Sequence, residues 1–103
     1  MQSKNYKMIR VLATIGILLL TGCVTAPPVQ EMSDARQAIA AAELADTDRV
    51  ATDTLADAHR FLADAERQIQ EQNYGGARMN AVRAKNRAAL ALRTIQERGA
   101  ADE

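Results

Sequence analysis

Apolar residues recur at alternating spacings of three and four along two stretches of this sequence, and most of them are alanine. The first series is Ala51, Leu55, Ala58, Leu62, Ala65 and Ile69. The second series is Tyr74, Ala77, Ala81, Ala84, Ala88, Ala91 and Ile95. This spacing places each series on one face of an α-helix. If the chain reverses at Asn73, no two large side chains face each other, so we expect a closely packed, antiparallel, coiled-coil-like hairpin.

No proline follows Pro28 in the sequence. Helix-forming residues dominate this part of the chain. Ser33 or Asp34 is the predicted N-cap of a first helix. That helix is expected to end near residues 46–48, Asp-Thr-Asp, because these residues favour caps and turns. The alternative is one continuous helix over residues 33–72.

The hairpin turn is predicted at residues 73–76, Asn-Tyr-Gly-Gly. The helix before it should end near Gln72. The helix after it should run to about Arg98, where Gly99 is expected to end it. Residues 32–98 then form the helical domain, and residues 99–103 form a disordered tail.

Six apolar residues lie off the hairpin seam, namely Ile39, Leu44, Phe61, Met79, Val82 and Leu90. We expect them to form a second contact layer that packs the first helix against the hairpin. The alternative is a surface for a partner or for self-association. The predicted fold is therefore all-α, an antiparallel Ala-rich helical hairpin with an additional N-terminal helix.

Charged residues are segregated along a chain whose formal net charge is zero. The first ten residues carry three positive charges, and the remainder has ten Lys or Arg against thirteen Asp or Glu. Acidic residues concentrate in residues 31–71 and basic ones in residues 78–98, which favours pairing between the helices. Glu66 and Arg78 are the predicted cross-helix pair. Nothing resembles the basic balance of a nucleic-acid binder, so no nucleic-acid partner is expected.

The N-terminus has the organisation of a secretory signal, with basic residues over 1–10 and an uncharged apolar run over 11–20. As a helix, that run spans about 15 Å, which is too short for a hydrocarbon core about 30 Å thick. We therefore predict a cleaved signal peptide over residues 1–22 and not a transmembrane anchor.

The cleavage region matches a bacterial lipobox, formed by Leu20, Thr21, Gly22 and Cys23. In such a motif the cysteine thiol receives a diacylglyceryl group, and the peptide bond before it is then cut. Cys23 is the only cysteine, and it is the predicted lipid-bearing first residue of the mature protein. Acyl chains would hold it stably on a membrane. The alternative is a free or buried cysteine behind an uncleaved hydrophobic helix.

Residues 23–31 are the predicted tether, which contains both prolines of the chain, Pro27 and Pro28. Consecutive prolines favour an extended, stiff segment. An Asp directly after the lipidated cysteine commonly retains a lipoprotein in the inner membrane, and this position holds Val24. We therefore expect the protein on the outer membrane, facing the periplasm.

Three segments of the sequence resemble one known family. Residues 34–43 read Asp-Ala-Arg-Gln-Ala-Ile-Ala-Ala-Ala-Glu, and the later segments contribute Leu55, Ala58, Leu62, Ala65, Asn73, Tyr74 and Ala77. The pattern is similar to the DUF4398 family, small envelope lipoproteins with a helical domain of unknown function. The resemblance covers about residues 31–95 and supplies no catalytic or binding residues. Members usually have a proline near the start of the second helix, where this chain has Thr52.

No motif indicates catalysis, a metal or a cofactor. His59 is the only histidine, and we expect it at the edge of the seam or in solvent. The basic residues of the last helix are expected to be solvated and partly paired, although they could touch lipid phosphates or peptidoglycan; they are Arg78, Arg83, Lys85, Arg87 and Arg93. The sequence thus favours a non-enzymatic, membrane-anchored structural or interaction module. Its expected partners are the membrane, through Cys23, and an envelope protein, a second copy or non-covalently bound peptidoglycan. The alternative is a small ligand carrier or an envelope enzyme.

Overall fold

The computed structural model describes residues 5–12 and 26–103. Its helices are α1 over residues 5–12, α2 over Val29–Ala45, α3 over Thr52–Gln70 and α4 over Tyr74–Ala101. The described residues contain no strand, so the predicted all-α fold is confirmed. α1 falls within the predicted signal peptide, and its side chains are exposed. Among the described residues, no helix combines the length and apolar character needed to cross a membrane.

Helices α2, α3 and α4 form an up-down-up bundle with three layers of core residues. The layer beside the α3–α4 turn contains Met32, Ala65 and Ala81. The middle layer contains Ala35, Ile39, Ala58, Ala84 and Ala88. The layer beside the α2–α3 connection contains Ala42, Ala51, Leu55 and Ala91. In these layers residue numbers rise together along α2 and α4 and fall along α3, so the antiparallel α3–α4 hairpin is confirmed.

The buried face of α4 consists of alanine alone: Ala77, Ala81, Ala84, Ala88 and Ala91 are its buried residues. The larger core side chains come from the other two helices, and they include Met32, Ile39 and Leu55. A methyl group projects little from a helix, so the backbones on either side of it can approach closely. Along these helices, the alanines and the larger residues follow the spacing of three and four that the sequence predicted.

α2 packs through its own series of apolar residues, Met32, Ala35, Ile39 and Ala42, spaced by three, four and three. The predicted second layer is confirmed for Ile39, which is buried, and for Phe61, which packs partly against the middle layer. It is wrong for Leu44, Met79, Val82 and Leu90, whose side chains are exposed. The reason is that these four residues lie on the sides of α2 and α4 that face away from the buried residues of the same helices.

The start of α2 differs from the prediction. The helix begins at Val29, not near Ser33 or Asp34, and the Met32 amide donates to the Pro28 carbonyl at 3.0 Å. A proline is tolerated there because the first amides of a helix have no intrahelical acceptor. Ser33 and Asp34 lie inside the helix and bond to side chains one turn away. Residues 29–31, expected as tether, are therefore helical.

The predicted break between the first two helices is confirmed, and the alternative of one continuous helix is wrong. α2 ends at Ala45, and Asp46 supports the connection to α3. Its carboxylate accepts the backbone amides of Val50 at 2.8 Å and Ala51 at 3.1 Å. Within this loop Arg49 has a φ of 55°, in the left-handed region. Asp46 thus satisfies two amides that α3 cannot satisfy itself.

The connection from α3 to α4 covers residues 71–73, and within it Gln72 has a φ of 60°. The Gln72 amide donates to the Ile69 carbonyl at 3.0 Å, and the Asn73 amide donates to the Gln68 carbonyl at 2.8 Å. These two bonds form a Schellman motif. The Asn73 side chain then accepts the Gly76 amide at 3.2 Å and caps α4. A Cβ on Gly76 would lie 2.6 Å from the Gln68 side-chain nitrogen and 2.7 Å from that of Asn73, so these two side chains would have to move to admit it.

Both ends of α4 lie outside the predicted bounds. The helix begins at Tyr74, so residues 74–76 of the predicted turn are its first residues. It continues through Gly99 to Ala101, where the Asp102 amide donates to the Arg98 carbonyl at 3.2 Å. Gly99 does not adopt a positive φ, and the alanines after it are strong helix formers. Most of the predicted disordered tail is therefore helical.

We predict that Ala88→Leu destabilises the domain by about 1–3 kcal/mol, because its added carbon atoms have no room in the middle layer. The neighbouring Ala89 is exposed and provides a matched control. Ala89→Leu should change the free energy of unfolding by less than about 0.5 kcal/mol. Urea denaturation followed by circular dichroism measures both values. Equal effects of the two substitutions would contradict the close packing of α4.

We also predict that Asp46→Ala lowers the free energy of unfolding by about 1–2 kcal/mol, because two backbone amides lose a charged acceptor. Asp48 lies in the same loop, is exposed and forms no side-chain bond among the described residues. Asp48→Ala should therefore have little effect. Thermal unfolding of the two variants beside the parent chain tests this, and similar losses for both would show that loop charge alone is responsible.

Candidate functional site

The predicted lipidation motif, Leu20, Thr21, Gly22 and Cys23, lies outside the described residues. The structure nevertheless locates the start of the folded domain relative to it. Because α2 begins at Val29, only five residues separate this helix from Cys23. An extended tether of that length reaches about 15 Å. A lipid on Cys23 would therefore hold the domain close to the membrane surface.

His59 contacts Glu43 across the α3–α2 interface, and both side chains are about half exposed. No group of three or more His, Cys, Asp or Glu residues suited to a metal ion occurs in the part of the chain that the structure describes. The pair joins two helices at the surface.

α2 supplies the acidic partners of two basic residues on α4. Glu31 pairs with Arg78 at 3.1 Å, and Asp34 lies 4.0 Å from Lys85. The predicted pair of Glu66 with Arg78 is wrong, because Glu66 pairs with Arg36 of α2 at 3.2 Å. The reason is that α2 packs beside both α3 and α4, so its charged side chains form ion pairs with residues of each helix.

Three arginines of the predicted basic face have no acidic partner within 4.0 Å among the described residues. They are Arg83, Arg87 and Arg93. Arg83 donates to the side-chain oxygen of Asn80, one turn away, at 3.3 Å. The predicted basic face thus divides into two residues that α2 neutralises and three that remain available in the bundle.

Apolar residues share the outward side of α4 with these arginines. Met79 is 55% exposed, Val82 41% and Leu90 42%. Together with Asn86 they are spaced by three, four and four, which places them on one side of the helix. That side is opposite the buried alanines. We call the set of Met79, Val82, Arg83, Asn86, Arg87, Leu90 and Arg93 the α4 outer face.

A shallow groove opens between α3 and α4 beside this face. Phe61 of α3 forms one wall, and Arg83, Asn86, Arg87 and Leu90 of α4 form the rest. Phe61 also packs partly against the core, which holds its ring in place. In the sequence, the basic residues and the apolar ones form two separate patterns along α4. A helical wheel of α4 that shows the alanines, the arginines and the exposed apolar residues together would have revealed that the last two groups share one surface.

Residues 30–103 match a family described as a domain of unknown function, DUF4398. The chain belongs to this family. The match begins in the first turn of α2 and includes α3 and α4, and it confirms the predicted resemblance. No curated protein and no solved structure matches the chain.

In this DUF4398 domain the two sides of the bundle differ in chemistry. The exposed large apolar residues of α2 are Val29, 72% exposed, and Leu44, 82% exposed, which lie at opposite ends of the helix. The α4 outer face presents three apolar side chains and three arginines. The residues of this domain best suited to contact a large partner therefore lie on α4.

Proposed function

We propose that this chain is a lipid-anchored lipoprotein of the bacterial envelope, with its DUF4398 domain on the periplasmic side of the outer membrane. The domain acts as a non-catalytic structural or interaction module. The observation that carries the proposal is the run Leu20-Thr21-Gly22-Cys23 behind a basic segment and a short apolar one. A lipid on Cys23 explains the only cysteine of the chain and the short Pro-Pro connection to α2.

The geometry of the domain supports an interaction module. Its buried side chains are apolar in the described residues, and the α4 outer face presents exposed apolar side chains beside arginines. The alternative, a small ligand carrier or an envelope enzyme, would use a hollow such as the groove at Phe61. A small molecule retained by the purified protein would favour that alternative. The partners considered are an envelope protein, a second copy and non-covalently bound peptidoglycan.

We predict that Cys23→Ala abolishes lipid attachment and leaves residues 1–22 on the chain, because the peptidase that cuts lipoproteins requires the modified cysteine. Thr25→Ala, a substitution just after the motif, should be processed normally and serves as the control. Intact mass spectrometry and metabolic labelling with a fatty acid measure both changes. Removal of residues 1–22 from the Cys23→Ala chain would overturn the lipoprotein proposal.

We predict that Val24→Asp moves the protein from the outer to the inner membrane, because an Asp after the lipidated cysteine acts as a retention signal. Val24→Ala should remain in the outer membrane. Sucrose-gradient separation of the two membranes, followed by detection of the protein, measures the distribution. If the parent chain sediments with the inner membrane, the proposed location is wrong; if all three chains sediment with the outer membrane, the retention effect of Asp at this position is wrong.

A further inference from the structure

We propose that the α4 outer face lies against the anionic phospholipid headgroups of the membrane that holds the anchor. The inference rests on the proposed function for the lipid on Cys23, and it identifies the surface that the domain contacts. Apolar side chains would enter the headgroup region, while the arginines beside them would bind phosphates. This is the arrangement of a helix that lies in a membrane interface.

The apolar residues of the surface lie along one side of the helix, with Asn86 between Val82 and Leu90. Met79, Val82 and Leu90 are exposed on the side of α4 that no other helix covers, and the exposed Ala89 lies next to Leu90. Phe61 extends this surface across the groove to α3. Removing apolar side chains of this kind from water lowers the free energy. The surface is too narrow, and too polar at its edges, to form a hydrophobic core.

The charge of the surface favours an anionic occupant. Arg83, Arg87 and Arg93 have no acidic partner within 4.0 Å among the described residues. The nearest helix carries Asp57 and Asp64, and these already pair with α3 arginines, at 3.0 Å and 3.4 Å respectively. Juxtamembrane arginines are attracted to anionic lipids, and each one adds to the binding.

The tether brings this surface to the membrane. The Glu31–Arg78 pair holds the first turn of α2 beside the start of α4, so the tether joins the domain at the end where Met79 lies. With five residues between Cys23 and Val29, the face stays within reach of the headgroups. Because the anchor keeps the domain at the membrane, the contact behaves like an intramolecular one. Even a weak affinity of the α4 outer face for the headgroups is then enough for the contact to form.

A second copy of the chain fits this face less well. Pairing two α4 helices through their outer faces would place Arg83, Arg87 and Arg93 of both copies in one contact. Like charges at such a distance repel, and no acidic residue of this face offsets them. Residues 78–98 contain a single acidic residue, Glu97. The phospholipid surface satisfies the same apolar and basic side chains without that repulsion.

The test uses tryptophan as a reporter, because the chain contains none. Leu90→Trp places the indole on the α4 outer face, and Leu44→Trp places it on the exposed side of α2. The two full-length variants, isolated as the cell processes them, are combined with vesicles of phosphatidylcholine alone or mixed with phosphatidylglycerol. Emission spectra with and without vesicles then compare the two positions.

We expect a blue shift for Leu90→Trp with the anionic vesicles, a smaller shift with phosphatidylcholine alone and none for Leu44→Trp. Replacing Arg83 and Arg87 with Gln in the Leu90→Trp chain should reduce the shift, as should high salt. No shift at residue 90, or equal shifts at both positions, would overturn the proposal. A blue shift without vesicles would also overturn it, because it would mean that a second copy covers the face.

The mass of the N-terminal peptide separates this proposal from the one on which it rests. If Cys23 carries no lipid, the lipoprotein proposal fails, and the spectra of the same chain mixed with anionic vesicles still decide whether the face binds them. If Cys23 is lipidated and residue 90 remains in water, the anchor is correct and the membrane contact of α4 is wrong.

Discussion

The contact between the alanine face of α4 and the two helices beside it determines how the rest of the domain is arranged. Alanine loses no side-chain entropy on burial and projects little, so helix backbones can pack closely over it. The same small size means that α4 alone buries little apolar area. Met32 and Ile39 from α2, with Leu55 from α3, supply that area in three successive layers. A hairpin of α3 and α4 without α2 would leave these layers open, which is why the first helix belongs to the core.

Polar contacts at the helix ends and flanks then set the alignment of the bundle. The Asp46 carboxylate holds the α2–α3 loop, and the Schellman motif at Gln72 with the Asn73 cap turns α3 into α4. Ion pairs from Glu31 and Arg36 join α2 to α4 and α3. Exposed pairs of this kind add little stability. Their effect is to favour one register along surfaces of nearly identical alanines.

Because α4 uses only its alanine side for packing, its other side remains available. Leucine, methionine and valine there would have served a core helix equally well, yet in the bundle they lie in solvent beside three arginines. A short connection to Cys23 would keep this side near a membrane. The proposed headgroup contact therefore combines the proposed anchor with one geometric fact: α2 begins beside the start of α4, with five residues between it and the cysteine.

Sequence by itself determined the features that depend on neighbours along the chain. The spacing of alanines on α3 and α4 predicts their antiparallel pairing, and Asp46 with its neighbours predicts the break after α2. The lipobox is likewise a local motif, and its role remains a prediction. Tertiary structure decided where distant segments meet. Acidic residues of α2 pair with Arg78 and Lys85 of α4, and Glu66 of α3 pairs with Arg36 of α2. It also decided that Ile39 is buried while Leu44 and Leu90 are exposed. Helical spacing assigns a residue to a side of its own helix, but only the packed bundle determines which sides another helix covers.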